Sequence, residues 1–139
     1  MPDDYWMGLA FMVAAASRNP DRQEGAVIVG PQNTLLSQGY DSPPKCMRDG
    51  SFFRHAEKVA LNSSSYCAAT MYVTHTPCSS CLLDIVASEI KRIVYFKTEP
   101  LDSVCSEIVR QSYIQLVQFR GSVGWLRDHM IELEDSDVF

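Results

Sequence analysis

The sequence of 139 residues lacks a long apolar run and lacks the opening segment of a secreted protein. No stretch approaches the roughly 18 consecutive apolar residues that a membrane-spanning helix needs. The first residues include Asp3 and Asp4, and they contain no basic segment of the kind that opens a signal peptide. We therefore expect a protein of the cytoplasm that does not associate with membranes.

Positive charge is also scarce. The sequence has 12 Lys and Arg residues against 17 Asp and Glu residues, which gives a formal net charge of -5. Proteins that bind long nucleic acids usually present a basic face, because phosphate contacts supply most of their affinity. The charge balance therefore argues against long nucleic acid as a partner.

The sequence has an odd number of cysteines. Five cysteines in a chain without a secretory signal are poorly explained by a disulfide framework and better explained by metal ligation or free thiols. Cys78 and Cys81 stand in a Cys-x-x-Cys pair, whereas Cys46, Cys67 and Cys105 show no paired spacing. The Cys78–Cys81 pair is therefore the first candidate for metal ligation.

Apolar periodicity predicts alternating helices and strands. A hydrophobic fraction of 46% suffices for one core, so we expect a single domain over residues 1–139. The patterns predict helices over 4–17, 55–62, 78–89, 102–111 and 123–133, and strands over 25–30, 34–39, 69–75, 90–96 and 113–119.

The connections between these elements predict the sheet. Pro31, Gln32 and Asn33 have the turn chemistry of a hairpin, so the first two strands should pair antiparallel. The helix between the fourth and fifth strands requires a crossover, which makes those two strands parallel. The expected fold is α/β, a five-stranded mixed sheet with helices on both faces.

Two short motifs supply a set of zinc ligands, H55-A-E57 and P77-C78-S-S-C81. A catalytic zinc site has three protein ligands and keeps its fourth position for water. Cys78 and Cys81 are three residues apart at the start of a predicted helix, where the helix dipole favours thiolates. We predict that His55, Cys78 and Cys81 hold one zinc ion per subunit.

Glu57 is the predicted catalytic residue. It lies two residues after His55 in the first turn of another predicted helix, close enough to reach a water on the metal without binding the metal itself. An isolated Cys-x-x-Cys is as often redox-active or structural, and an isolated His-x-Glu carries little information. Their combination in this order is an established signature of zinc-dependent deaminases.

The chain resembles the cytidine and deoxycytidylate deaminase superfamily over most of its length, and within it the deoxycytidylate deaminases most. The segments that carry the resemblance occur in the same order as in that family, and they are DYWMGLAFMVAAASRNP, GAVIV, GYDSPP, ATMYVTHTPCSSC and IKRIVYF. The resemblance implies a three-layer fold with both zinc motifs at helix N-termini beneath a substrate pocket. It also implies a homo-oligomer, a dimer or hexamer, because pockets in the family are commonly completed across subunits.

The same resemblance implies which residues contact the substrate. The backbone around Gly25 and Ala26 and the amide of Ala56 would lie against the base, Pro77 would border the pocket, and Asp41 would lie near the sugar. Asp41 departs from the family, where an asparagine is usual, and a carboxylate can only accept hydrogen bonds. We therefore predict that Asp41 accepts a hydrogen bond from a sugar hydroxyl.

A nucleotide substrate would need cations for its phosphate. Lys45, Arg48 and Arg54 lie in the loop between Asp41 and His55 and are the candidates for that contact. The alternative for each is an ordinary surface ion pair or a solvated side chain.

These observations predict a hydrolytic deaminase of a deoxycytidine nucleotide, either dCMP or a 5-substituted dCMP. The first alternative is an enzyme acting on a base in RNA or single-stranded DNA, such as a tRNA adenosine or a polynucleotide cytidine. The second is a binding module in which the zinc is structural, and such a module would need a fourth protein ligand.

Overall fold

The computed structural model of the protein describes residues 3–45, 52–97 and 99–121. The helices and strands in these residues are α1 (Asp3–Ala14), β1 (Gly25–Val29), β2 (Leu35–Tyr40), α2 (Ala56–Leu61), β3 (Thr70–His75), α3 (Ser79–Ala87), β4 (Arg92–Lys97), α4 (Ser103–Gln111) and β5 (Gln115–Gln118).

The strands form one mixed sheet in the order β2-β1-β3-β4-β5. Strand β1 is antiparallel to β2 and to β3, whereas β3 with β4 and β4 with β5 are parallel. The β1–β2 turn closes with a hydrogen bond from Gly30 N to Thr34 O of 2.8 Å, and Asn33 takes the left-handed conformation with φ 58°. The predicted hairpin and the predicted parallel pairing of β4 and β5 are both confirmed.

Helices cover both faces of this sheet, which makes three layers. Helix α1 packs on one face in a cluster with Val27, Val94 and Phe119. Helices α2, α3 and α4 pack on the other face, around Ile28, Met71 and other buried side chains of the central strands. The predicted fold class is therefore confirmed.

Two glycines let helices approach the sheet closely. A Cβ atom added at Gly25 would lie 2.2 Å from the carbonyl oxygen of Ala10 in α1. A Cβ added at Gly39 would lie 2.5 Å from the backbone nitrogen of Ala60 in α2. The two contacts fix α1 against β1 and α2 against β2, so the N-terminus of α2 has a defined position above the sheet.

Helix α1 ends at Ala14, three residues before the predicted end at residue 17. The next residues turn away because Ser17 Oγ donates to Asp41 O at 2.9 Å and Asn19 Nδ2 donates to Asp41 Oδ2 at 2.8 Å. Ala16 N and Ser17 N still donate to Val13 O and Ala14 O, so the helix ends in turns that these tertiary hydrogen bonds hold in place. They tie the α1–β1 connection to the end of β2.

The other predicted elements agree within a few residues. Strand β5, for example, is shorter than the predicted 113–119. The predicted helix over 123–133 lies outside the described residues, and the single domain over 1–139 stays a prediction. None of the helices in the part of the chain that the structure describes has the length and apolar character needed to cross a bilayer.

Candidate functional site

His55 stands at the N-cap of α2. Its backbone is extended, with φ -63° and ψ 147°, and the helix begins at the next residue, Ala56. The residue before it, Arg54, forms an isolated bridge with Ser42 through Arg54 N donating to Ser42 O at 2.9 Å. This bridge holds the backbone of the residue that precedes His55.

Cys78 stands at the N-cap of α3. Strand β3 ends at His75, and Pro77, which has no N–H, separates it from the helix. Cys78 is extended, with φ -75° and ψ 168°, and Cys81 is buried in the first turn of α3. The end of β3 therefore delivers both thiols to the start of one helix.

The two helix starts bring three ligand atoms together. His55 Nδ1 lies 3.3 Å from Cys81 Sγ and 3.5 Å from Cys78 Sγ, and all three ligand atoms lie within 4.8 Å of one another. Zn–S bonds of about 2.3 Å and Zn–N bonds of about 2.0 Å at tetrahedral angles place nitrogen and sulfur about 3.5 Å apart. The spacing of these three side chains fits a zinc ion.

The surroundings favour the metal-binding form of His55 but not that of Cys81, for which the helix start was expected to favour the thiolate. Burial lowers the pKa of His55, and the charges of Arg22 and Lys58 lower it further, which favours the neutral imidazole that can bind zinc. Burial raises the pKa of Cys81, and the neighbouring Cys78 adds to that rise. The Cys81 thiol therefore keeps its proton until a cation replaces it.

The group leaves room for a further ligand that is not protein. Within residues 3–45, 52–97 and 99–121, His55, Cys78 and Cys81 are the only His, Cys, Asp or Glu side chains whose ligand atoms converge in a group of three or more. Cys105 is buried and its Sγ contacts Pro77 O at 3.9 Å. Cys67 is exposed, and Cys46 lies outside the described residues. Three protein ligands are typical of a catalytic zinc site.

Glu57 lies in the first turn of α2, two residues from His55, and only 1% of it is exposed. Its Oε1 atom is buried and has no hydrogen-bond partner among the described side chains and backbone. A buried carboxylate oxygen without a donor is costly, unless a ligand supplies that donor. Glu57 is therefore placed to bind a water or a substrate N–H.

A side-chain link holds the two ligand-bearing helices together. Lys58 of α2 donates from Nζ to Ser80 Oγ at 2.9 Å and to Asp84 Oδ2 at 2.7 Å, both in α3. Because Lys58 follows Glu57 directly and Ser80 lies between the two thiols, the link connects both motifs. It was not anticipated from the sequence.

The predicted base contacts lie at the starts of β1 and α2 and just before α3. Gly25 and Ala26 open β1 and are buried, Ala56 opens α2 and is buried, and Pro77 is buried between β3 and α3. Gly25 N donates to Thr74 Oγ1 of β3 at 3.1 Å. Contact of these residues with a base stays a prediction.

Asp41 is 3% exposed at the end of β2. Its Oδ1 accepts a hydrogen bond from Glu24 N at 2.8 Å and its Oδ2 accepts one from Asn19 Nδ2 at 2.8 Å. The side chain therefore holds the segments before β1 and after β2 together. Its predicted contact with a sugar hydroxyl is not tested by this arrangement.

A cavity of about 770 Å³ opens beside Asp41. Its lining includes two of the predicted phosphate contacts, Lys45 and Arg54, together with Arg18. Arg48, the third predicted contact, lies outside the described residues. Arg54 precedes His55 directly, so this cationic cavity adjoins the start of α2.

The sequence patterns did not identify Arg18, Arg22 or Glu24 as site residues. Arg22 Nη2 contacts Glu24 Oε2 at 2.7 Å, and Arg22 Nη1 contacts Glu99 Oε1 at 3.4 Å. One signal was available, because Glu24 directly precedes a strand in which every residue is buried. A charged residue in that position is unusual in a protein core.

The chain matches the sequence model of a known family, the cytidine and deoxycytidylate deaminase zinc-binding region, over residues 1–97. The match covers more than half of the chain and includes all three ligands and Glu57. The chain belongs to this family. Because the ligand spacing fits zinc as well, the protein is a zinc-dependent hydrolytic deaminase whose zinc ligands are His55, Cys78 and Cys81.

The similar proteins are deaminases of more than one kind. The chain is 30% identical over 119 residues to the deoxycytidylate deaminase of Homo sapiens, which covers 72% of this chain and 67% of that protein. It is 34% identical over 101 residues to the tRNA-specific adenosine deaminase of Buchnera aphidicola, covering 67% and 64% of the two chains. The crystal structure of dCMP deaminase from the cyanophage S-TIM5 in complex with dCMP and dUMP has the same fold, with a TM-score of 0.74, 20% identity and coverage of 84% and 96%.

We predict that the metal depends on the buried thiol. The purified protein should contain about one zinc ion per chain, whereas Cys81→Ser should contain only a trace, because the two remaining ligands cannot hold the ion. Elemental analysis by mass spectrometry measures both.

The matched control is Cys67→Ser, which removes an exposed thiol outside the ligand group and should keep the wild-type zinc content. Full zinc occupancy in Cys81→Ser would show that the metal is held elsewhere.

Proposed function

We propose that the protein deaminates dCMP to dUMP and ammonia. The observation that carries the proposal is the open His-Cys-Cys group with buried Glu57. A cavity lined by cations adds to it, because its lining includes Arg54, the residue before His55. The deaminase chemistry follows from the family, and the cations match a substrate with a phosphate group. The named relatives that act on deoxycytidylate support the same substrate.

The reaction replaces the C4 amine of cytosine by oxygen. His55, Cys78 and Cys81 would hold a zinc ion, which would supply a water with its pKa lowered toward neutrality. The Glu57 carboxylate accepts a proton from the attacking water and delivers it to ring nitrogen N3 as the C4–O bond forms. Glu57 then takes the proton of the new C4 hydroxyl and delivers it to the amine as the C4–N bond breaks and the C4 carbonyl forms. Water and dCMP are consumed, and dUMP and ammonia are released.

The surroundings of Glu57 suit this proton transfer. Its carboxylate is buried and one oxygen has no donor within the described part of the chain, so a water or a substrate N–H can occupy that place without displacing a protein contact. Lys58, the next residue, is held by Ser80 and Asp84 of α3. This link joins the residue next to Glu57 to the helix that carries Cys81.

The phosphate of dCMP would lie near Arg18, Lys45 and Arg54. The chain as a whole carries a formal net charge of -5, so a local group of three cations is the feature that can attract a dianion. Three predictions are not tested by the cavity. They are a phosphate contact by Arg48, a 5-substituted dCMP as the substrate, and a homo-oligomer that is a dimer or a hexamer.

The substrate assignment predicts a clear order of activities. At matched salt, the zinc-loaded protein should release ammonia from free dCMP and convert it to dUMP. It should show little activity on a cytosine-containing single-stranded oligonucleotide or on a tRNA anticodon stem-loop, because a chain with a net negative charge attracts a polyanion weakly. Product mass identifies the base that changed. Preferential deamination of either nucleic acid would contradict the proposal.

The cation assignment predicts a difference between nucleotide and nucleoside. Arg54→Ala and Lys45→Ala should each lower kcat/KM for dCMP about 10- to 100-fold while changing kcat/KM for deoxycytidine little, because only the nucleotide loses a charge-assisted contact. Steady-state kinetics with both substrates measure this.

Lys91→Ala provides the control, because Lys91 is exposed just before β4, at the end of the sheet opposite the ligands. It should affect neither substrate. If Arg54→Ala and Lys45→Ala lower the two kcat/KM values equally, this cavity does not bind phosphate.

A further inference from the structure

Glu24 is a buried carboxylate that the reaction described above does not use. Only 2% of the residue is exposed, and it directly precedes β1. Burial raises its pKa to about 7, although the Arg22 guanidinium beside it lowers the value. A carboxylate in this position gains stability from any further donor, since hydrogen bonding favours the charged form.

The ion pair between Arg22 and Glu24 leaves an atom of each partner unused. A guanidinium and a carboxylate can form two parallel hydrogen bonds, but here the short contact is between Arg22 Nη2 and Glu24 Oε2 alone. Glu24 Oε1 and Arg22 Nε are both buried and have no hydrogen-bond partner in residues 3–45, 52–97 and 99–121. The pair therefore offers one free acceptor and one free donor.

Glu24 lies among the strand ends that build the active site. Its backbone N–H is held by Asp41 at the end of β2, and the next residue, Gly25, is held by Thr74 of β3. Strand β3 continues through Pro77 to the thiol ligands. On the other side Arg22 also contacts Glu99, whose N–H donates to Thr76 Oγ1 at 3.1 Å.

The charges of the pair act on the metal ligands. Burial and Cys78 raise the pKa of Cys81, and the Glu24 carboxylate raises it further. Burial lowers the pKa of His55, and the Arg22 guanidinium is the next largest cause. Both charged groups therefore lie near the zinc ligands.

The chemistry of the two free atoms limits what can bind them. A cation or a simple N–H donor would satisfy Glu24 Oε1 only, and a phosphate would satisfy Arg22 while being repelled by Glu24. A hydroxyl group is both a donor and an acceptor and can satisfy both atoms. In dCMP the 5' oxygen carries the phosphate and C2' has no oxygen, so the 3'-OH is the only sugar hydroxyl.

We infer that Glu24 and Arg22 determine specificity for the sugar, with the substrate 3'-OH donating to Glu24 Oε1 and accepting from Arg22 Nε. The inference rests on the proposed dCMP deaminase function. Asp41 then acts mainly as the residue that positions Glu24, since each of its carboxylate oxygens already accepts a hydrogen bond from the protein.

The test compares dCMP with its 3'-fluoro-2',3'-dideoxy analogue, which keeps the shape of the substrate but cannot donate at the 3' position. The wild-type kcat/KM should be at least about tenfold higher for dCMP, because a hydrogen bond to a charged group is lost with the analogue. In Glu24→Leu the two values should lie within about threefold of each other. A 3'-amino analogue, which donates again, should recover most of the wild-type rate.

Glu107→Leu is the matched control, because Glu107 is an exposed glutamate of α4 that pairs with Arg110, and it should keep the wild-type preference. Zinc content and circular dichroism verify that Glu24→Leu is folded, and the wild-type analogue series decides the question if it is not. Equal use of dCMP and the 3'-fluoro analogue by the wild type, or an unchanged preference in folded Glu24→Leu, overturns the inference while the dCMP assignment stands. If the wild type does not deaminate dCMP, both proposals fail.

Discussion

The active site depends on two helices whose N-termini lie next to each other. His55 caps α2 and Cys78 caps α3, and this brings an imidazole nitrogen to 3.3 and 3.5 Å from two thiol sulfurs. The sheet sets both positions. Gly39 lets α2 rest directly on β2, and β3 followed by Pro77 delivers the start of α3. The Lys58 contacts then link the helices to each other, so the spacing of the ligands follows from the packing of the core.

Near these two helix N-termini the protein buries charged side chains that do not stabilise its core. Glu57 and Glu24 are both almost fully buried, and each keeps a carboxylate oxygen without a partner in the described part of the chain. Such atoms reduce stability unless a ligand satisfies them. The Cys81 thiol, whose pKa burial raises, likewise needs a cation before it can ionise. Metal and substrate therefore complete the site electrostatically, and the apolar sheet beneath holds its residues in place.

The sequence predicted those features that local patterns determine. The strands follow from their apolar runs, and the parallel pairing of β4 and β5 follows from the helix between them. The ligands and Glu57 follow from two short motifs. The end of α1 was missed because Ser17 and Asn19 hydrogen-bond to Asp41, far away in sequence. A related reason explains why the sequence did not identify Arg18, Arg22 and Glu24. They lie in the irregular connection between α1 and β1, and they come close to the site only because the sheet places β2 and β3 beside β1.

The proposed reaction depends on proton transfer by Glu57 at a zinc site, and the variant Glu57→Gln removes that transfer. The amide keeps the size of the side chain and lies outside the ligand group, so zinc content should stay at about one ion per chain. Turnover of dCMP, measured as ammonia release, should fall by at least about 10²-fold, because an amide cannot accept and return a proton. Wild-type turnover by zinc-loaded Glu57→Gln would show that Glu57 does not transfer the protons.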